Sequence, residues 1–106
     1  MIELSPIDIT PVQGQIVRDI LQKYVPQYEV WAFGSRVKMT ARPYSDLDLA
    51  IITQQPLPLT ISAALNDAFS ESDLPWKVDI VDWANTSSLF RALIEQEKVI
   101  FQPAVG

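Results

Sequence analysis

This sequence contains no cysteine and no histidine. The first absence excludes disulfides and thiolate metal sites, and makes a cytosolic, cytoplasmic setting the natural expectation. The second excludes imidazole acid–base chemistry, Ser-His-Asp triads and imidazole zinc sites. Any metal must then be held by oxygen, which favours a hard cation such as magnesium, manganese or calcium. No apolar run approaches the roughly 18 residues that would span a membrane. The opening "MIELSPIDIT" has no basic segment followed by an apolar block, so no signal peptide is expected. Positive charge is also scarce. Eight Lys and Arg face thirteen Asp and Glu, for a net charge of −5. A sequence-independent duplex binder needs a basic surface, so direct nucleic-acid binding by this chain alone is not expected.

What is present is enough for one modest core. The chain has 106 residues, of which 48% are hydrophobic. This fits a single domain over residues 1–106 and leaves no room for a second one of ordinary size.

The first helix is well marked. Thr10 suits the N-cap, Pro11 the first helical position, and Gln13 completes a capping box. Val12, Ile16, Ile20, Leu21 and Tyr24 follow at helical spacing, and Pro26 ends the run. Gly14 weakens this helix or marks close packing. The β-branched and aromatic stretch Glu29–Phe33 predicts a strand, and "LDLAIIT" (47–53) a second. Two prolines make "QQPLPLT" a loop. "TISAALNDAF" predicts a helix through Ile61, Ala64, Leu65, Ala68 and Phe69. "KVDIVDW" reads as a third strand. "NTSSLFRALIEQE" reads as a final helix with Leu89, Phe90, Leu93, Ile94 and Glu97 at helical spacing. Glu95 and Glu97 lie at its C-terminal end, the less favourable end for an acid. "KVIFQ" offers a last short strand. This order predicts an α+β fold, a small mixed sheet with helices packed against it. The short link between the first two strands favours antiparallel pairing there.

The chemistry gathers in "GSRVKMTARPYSDLDLAI". Residues i and i+2 of a strand share a face, so Asp46 and Asp48 present two carboxylates side by side, with Leu47 and Leu49 opposite. Close carboxylates repel, and a divalent cation removes the repulsion. Gly34 directly after an apolar strand permits a positive φ and close backbone approach to a ligand. Ser35 adds a hydroxyl and an N–H, which together can hold phosphate oxygens. The spacing is not that of a P-loop. Arg36, Lys38 and Arg42 can neutralise a polyphosphate. Asp79 is a lone acid between Val78 and Ile80 in a short apolar strand, and a metal shared with Asp46 and Asp48 would explain it. Asp82 is out of phase and suits a loop or helix cap. Each feature alone has an ordinary reading: a surface acid pair, a strand-ending turn, a solvated loop. Their ordering, with acids in phase on two strands, points to a one- or two-metal site facing a phosphate-binding corner.

This pattern resembles the signature of the polymerase beta-like nucleotidyltransferases. The chain's size makes it similar to the minimal nucleotidyltransferases, the small partners of helical HEPN proteins in two-gene toxin–antitoxin modules. The resemblance runs from Glu29 to the last helix. It implies that Asp46, Asp48 and Asp79 bind Mg2+ (or Mn2+) and are catalytic, and that Gly34, Ser35, Arg36 and Ser45 contact the nucleotide. It further implies ATP as substrate, and AMP transfer to a tyrosine of a HEPN toxin held in a hetero-oligomer. Two alternatives stand beside this: a non-catalytic antitoxin acting by contact alone, and transfer to a small molecule. One departure is Met39, where family members commonly carry glycine. If that position needs a positive φ, Met is strained by about 1–2 kcal/mol, and another shape for the connection follows. Trp31, Trp76, Trp83 and Tyr44 are either interface anchors or packing residues.

Overall fold

The computed structural model describes residues 7–104. The first six residues of the segment read above for a leader lie outside them. Helix α1 (Pro11–Tyr24) begins as its capping box requires, with the Thr10 hydroxyl accepting from the Gln13 N–H and the Gln13 side chain accepting from the Thr10 N–H. Then follow β1 (Glu29–Phe33), a one-turn helix α2 (Ser35–Lys38), β2 (Leu47–Ile52), α3 (Leu59–Ser70), β3 (Val78–Asp82), a 3-10 turn (Trp83–Asn85), α4 (Ser88–Glu97) and β4 (Val99–Gln102). Among the described residues no helix is long and apolar enough to cross a membrane.

The four strands form one mixed sheet in the order β3-β2-β1-β4. β1 pairs antiparallel with β2 and with β4, while β2 and β3 run parallel. The parallel pair needs a crossover, which α3 supplies. Strand alternation divides the core. Val30, Ala32, Leu47, Leu49 and Ile51 face α1 and α3, against Val17, Leu21, Leu65 and Phe69. Trp31, Phe33 and Ala50 face α4 and meet Ile94.

The final helix buries less than its spacing implies. Ile94 is fully buried, but Leu89 is 85% exposed and Leu93 45%. Trp31 and Trp83 already cover the adjacent sheet edge-to-face at 5.0 Å, so α4 seats only one side of its apolar stripe. Val12 on α1 is likewise exposed, and the inner line of that helix is Gly14, Val17 and Leu21. Trp31 and Trp76 are packing residues, both buried, and Trp83 is half-buried. Asp82 caps a loop: one carboxylate oxygen accepts from the Thr53 hydroxyl, the other from the Leu57 N–H at 2.8 Å. Ser87 caps α4. Gln102, buried, donates to the Val25 and Tyr28 carbonyls and ties β4 to the end of α1.

The sequence pattern did not reveal α2. Its C-cap is Met39, at φ 61 and ψ 33, in the left-handed region. The Met39 and Thr40 N–H groups both turn back to the Ser35 carbonyl. The connection therefore keeps a shape suited to glycine, with methionine accepting the strain. Met39→Gly should stabilise the fold by about 1 kcal/mol, because relief of strain outweighs the added chain entropy. Thermal unfolding should show a rise of roughly 5 °C.

Candidate active site

Two strand ends and one close approach build the site. Asp48 faces Asp79 across the parallel β2–β3 pair and Phe33 across the antiparallel β1–β2 pair. Both acids project to the α4 side, because Leu47, Leu49, Val78 and Ile80 take the other face. Gly34 follows Phe33 with φ 84 and ψ −159. A Cβ on Gly34 would come within 2.1 Å of Asp48 Oδ2. Position 34 therefore excludes a side chain twice, by its backbone and by the carboxylate beside it.

Asp46 precedes β2, exposed, and lines a cleft of about 630 Å3 with Tyr44, Phe69, Trp76 and Lys77. Asp48 and Asp79 do not line that cleft. Among the described residues, no three acidic side chains converge as a ready-made ligand cage. The structure brings together the pair Asp48 and Asp79, with Asp46 near enough to act on Asp48 through its charge.

Burial and neighbouring charge together oppose ionisation of Asp48. The Asp48 carboxyl is pushed up from 3.8 to about 6. Burial contributes most, followed by the negative charges of Asp79, Asp46 and Glu97, with Lys38 opposing. A carboxylate pair, Asp48 with Asp79, in which Asp48 is held against its ionised form fits a hard divalent cation that takes two carboxylates, and its charge would offset the penalty.

The corner around Gly34 differs in three ways from the expectation. Arg36 is buried, and its guanidinium is directed at backbone carbonyls. It donates to the Ser45, Asp8 and Pro43 carbonyls at 3.0, 2.9 and 3.1 Å and lies 4.6 Å from the Trp76 ring centroid. These bonds tie the connection before β2 to the segment before α1, so Arg36 is a buried anchor of the connection. Ser45 is similarly engaged: its hydroxyl accepts from the Arg42 N–H at 2.9 Å and closes a turn. The third difference is Glu97, the last residue of α4. One of its oxygens accepts from the Gly34 N–H at 3.0 Å, and the other pairs with Lys38 Nζ at 3.3 Å. The signal in sequence was an acid at the wrong end of a helix; its distant partners were not visible. Ser35 opens α2 beside Gly34, half-buried.

The family profile described as "Polymerase beta, Nucleotidyltransferase" matches residues 15–104. The chain belongs to this nucleotidyltransferase family. It is 53% identical, over 96% of its length and 90% of the relative's, to the Haemophilus influenzae protein named "Probable protein adenylyltransferase MntA". Its fold is similar to a chain of a toxin–antitoxin crystal structure with AMP-PNP, at TM-score 0.72 and 21% identity, covering 86% of this chain and 73% of that one. It is also similar, at TM-score 0.65 and 18% identity, to a chain of the complex of tri-AMPylated Shewanella oneidensis HEPN toxin with MNT antitoxin, covering 88% and 71%. For this nucleotidyltransferase, the paired acids and Gly34 are the parts that set the geometry of the corner.

Two outcomes test that geometry. Asp48 ionises less readily folded than unfolded, so its charge destabilises the fold above pH 6, and the penalty fades as pH falls from 6 toward 4. Solvent screening of a half-buried group reduces this to roughly 1 kcal/mol. With divalent cations chelated, Asp48→Asn should therefore raise the melting temperature at pH 8 by a few degrees and have no such effect at pH 4. Gly34→Ala should lower stability at pH 7 by at least about 1 kcal/mol, measured by urea unfolding, because both the positive φ and the Asp48 carboxylate oppose the methyl group.

Proposed function

We propose that this protein is a magnesium-dependent protein adenylyltransferase. It moves AMP from ATP to a tyrosine of a HEPN-type toxin partner and so acts as its antitoxin, in the cytoplasm and within a hetero-oligomer. The observation that carries this reading is the register pair Asp48–Asp79 beside a glycine corner that has no room for a side chain. The identity to a relative named as a probable protein adenylyltransferase supports it, as does the fold shared with chains of toxin–antitoxin complexes.

Asp46, Asp48 and Asp79 are the proposed ligands of Mg2+, or of Mn2+. When bound, such an ion offsets phosphate charge and lowers the pKa of an attacking hydroxyl. The protein's part is positioning and charge stabilisation. Gly34 and Ser35 face the outgoing phosphates of ATP. The acceptor oxygen bonds to the α-phosphorus as the bond to pyrophosphate breaks, and pyrophosphate leaves with that electron pair. Asp79, exposed on the edge strand, is the proposed acceptor of the hydroxyl proton. Arg36 and Ser45 serve one step back, fixing the connection that delivers Asp46. Exposed Leu89, Phe90 and Leu93 give α4 an apolar side. Phe90 contacts Phe33, the register partner of Asp48. This supports a protein acceptor over a small molecule.

Met39 keeps the left-handed backbone that a glycine would supply there, which supports an unaltered connection and the catalytic reading over a purely binding antitoxin. The test is the intact mass of a HEPN-type partner after incubation with this protein, magnesium and ATP. One or more added AMP groups are expected, with none for Asp46→Asn/Asp48→Asn. An unmodified partner in a stable complex would sink catalysis and leave the binding role.

A further inference from the structure

The corner that would receive the phosphates already holds an anion. Glu97 spans the Gly34 N–H and the Lys38 ammonium with its two oxygens. This is the bridging geometry of a phosphate group set between a backbone donor and a basic side chain. Glu97 is 15% exposed as a side chain, against 53% for Lys38. It ends α4, where a carboxylate faces the negative pole of the helix dipole. Its negative charge also opposes ionisation of Asp48. Neither feature favours an acid at this position; the two donors do.

We infer that Glu97 is a resident anion occupying the polyphosphate subsite, and that a nucleoside triphosphate binds by displacing it from Gly34 and Lys38. This rests on the proposed phosphate role of the Gly34 corner and deepens it. Gly34 offers a single N–H, already given to Glu97, so a phosphate oxygen that takes this donor competes directly with the carboxylate. The hinge is short. Glu97 is the last helical residue, and Lys98 leaves the helix with extended backbone at φ −59 and ψ 146. A change of Glu97 side-chain rotamer therefore opens the corner without unseating Ile94, which is buried against the sheet. The freed Lys38 is then available to the phosphates as a point charge. Glu97 thus acts as a gate on affinity. It keeps the donors satisfied while no nucleotide is bound and sets a threshold that AMP, which has no β- or γ-phosphate, does not cross.

The experiment is calorimetric titration of wild-type protein and of Glu97→Gln with ATP, inorganic tripolyphosphate and AMP, each with magnesium. Glu97→Gln should bind ATP and tripolyphosphate about tenfold more tightly, the scale of one charge-assisted hydrogen bond, and AMP equally. Equal or weaker triphosphate binding by the variant, with wild-type binding still abolished by Asp48→Asn, overturns the gate and leaves the catalytic reading standing. If neither protein binds ATP or tripolyphosphate, both the gate and the phosphate role of the corner fall. Should Glu97→Gln not fold, the Gly34 amide resonance of the wild type decides. It should shift as tripolyphosphate saturates the protein, and a stationary Gly34 amide at saturation overturns the gate.

Discussion

The close approach of Gly34 to Asp48 is the constraint on which the rest of this site depends. β1 and β2 pair so that Phe33 lies opposite Asp48. The residue after Phe33 must then turn sharply while a carboxylate occupies the space its side chain would fill. Glycine satisfies both demands. From that turn follow α2, the Lys38 ammonium beside the corner, and a Gly34 N–H directed at Glu97. The same pairing sets Asp48 next to Asp79, because β2 is shared by the antiparallel and the parallel halves of the sheet.

A second, quieter constraint is the burial of Arg36. A guanidinium in the interior is tolerated when carbonyls and an aromatic face take its donors and its charge. Here it draws together the segment before α1, the Arg42–Ser45 turn and Trp76. The connection between the Gly-Ser corner and the acids is thereby rigid at its base, although much of its surface is exposed. Met39 fits the same logic. Its left-handed backbone is strained locally, yet the return of two N–H groups to Ser35 holds it in place. The fold tolerates strain here because the helix end, and with it Lys38, depends on the turn.

Much of this could be read in the residues. The elements fell close to where periodicity, capping and proline placed them. The mixed sheet followed from the order of the elements and the short link between the first two strands, while the pairing of Asp48 with Asp79 came from the register of β2 on β3. Asp82 as a loop cap followed from its being out of phase. The difficulties were of one kind. Arg36 and Ser45 looked available because a local reading cannot see which distant carbonyls or amides claim a donor or acceptor. The four-residue helix α2 is too short for a period to show. The apolar stripe of α4 promised more burial than a small sheet already covered by Trp31 and Trp83 could give.

By itself, then, the sequence determined the secondary elements, the sheet's alternation and the chemistry of the corner: oxygen ligands only, a glycine where the chain must turn, and acids in phase. These are local properties, set by neighbours within a turn of helix or a few strand residues. Only the tertiary structure decided which charged groups face the site. It sent Arg36 inward and brought Glu97 from the far end of the chain onto Gly34 and Lys38. The reason is that a charge is satisfied by whatever partner lies within a few ångströms in space, and the order of residues along the chain does not specify that partner.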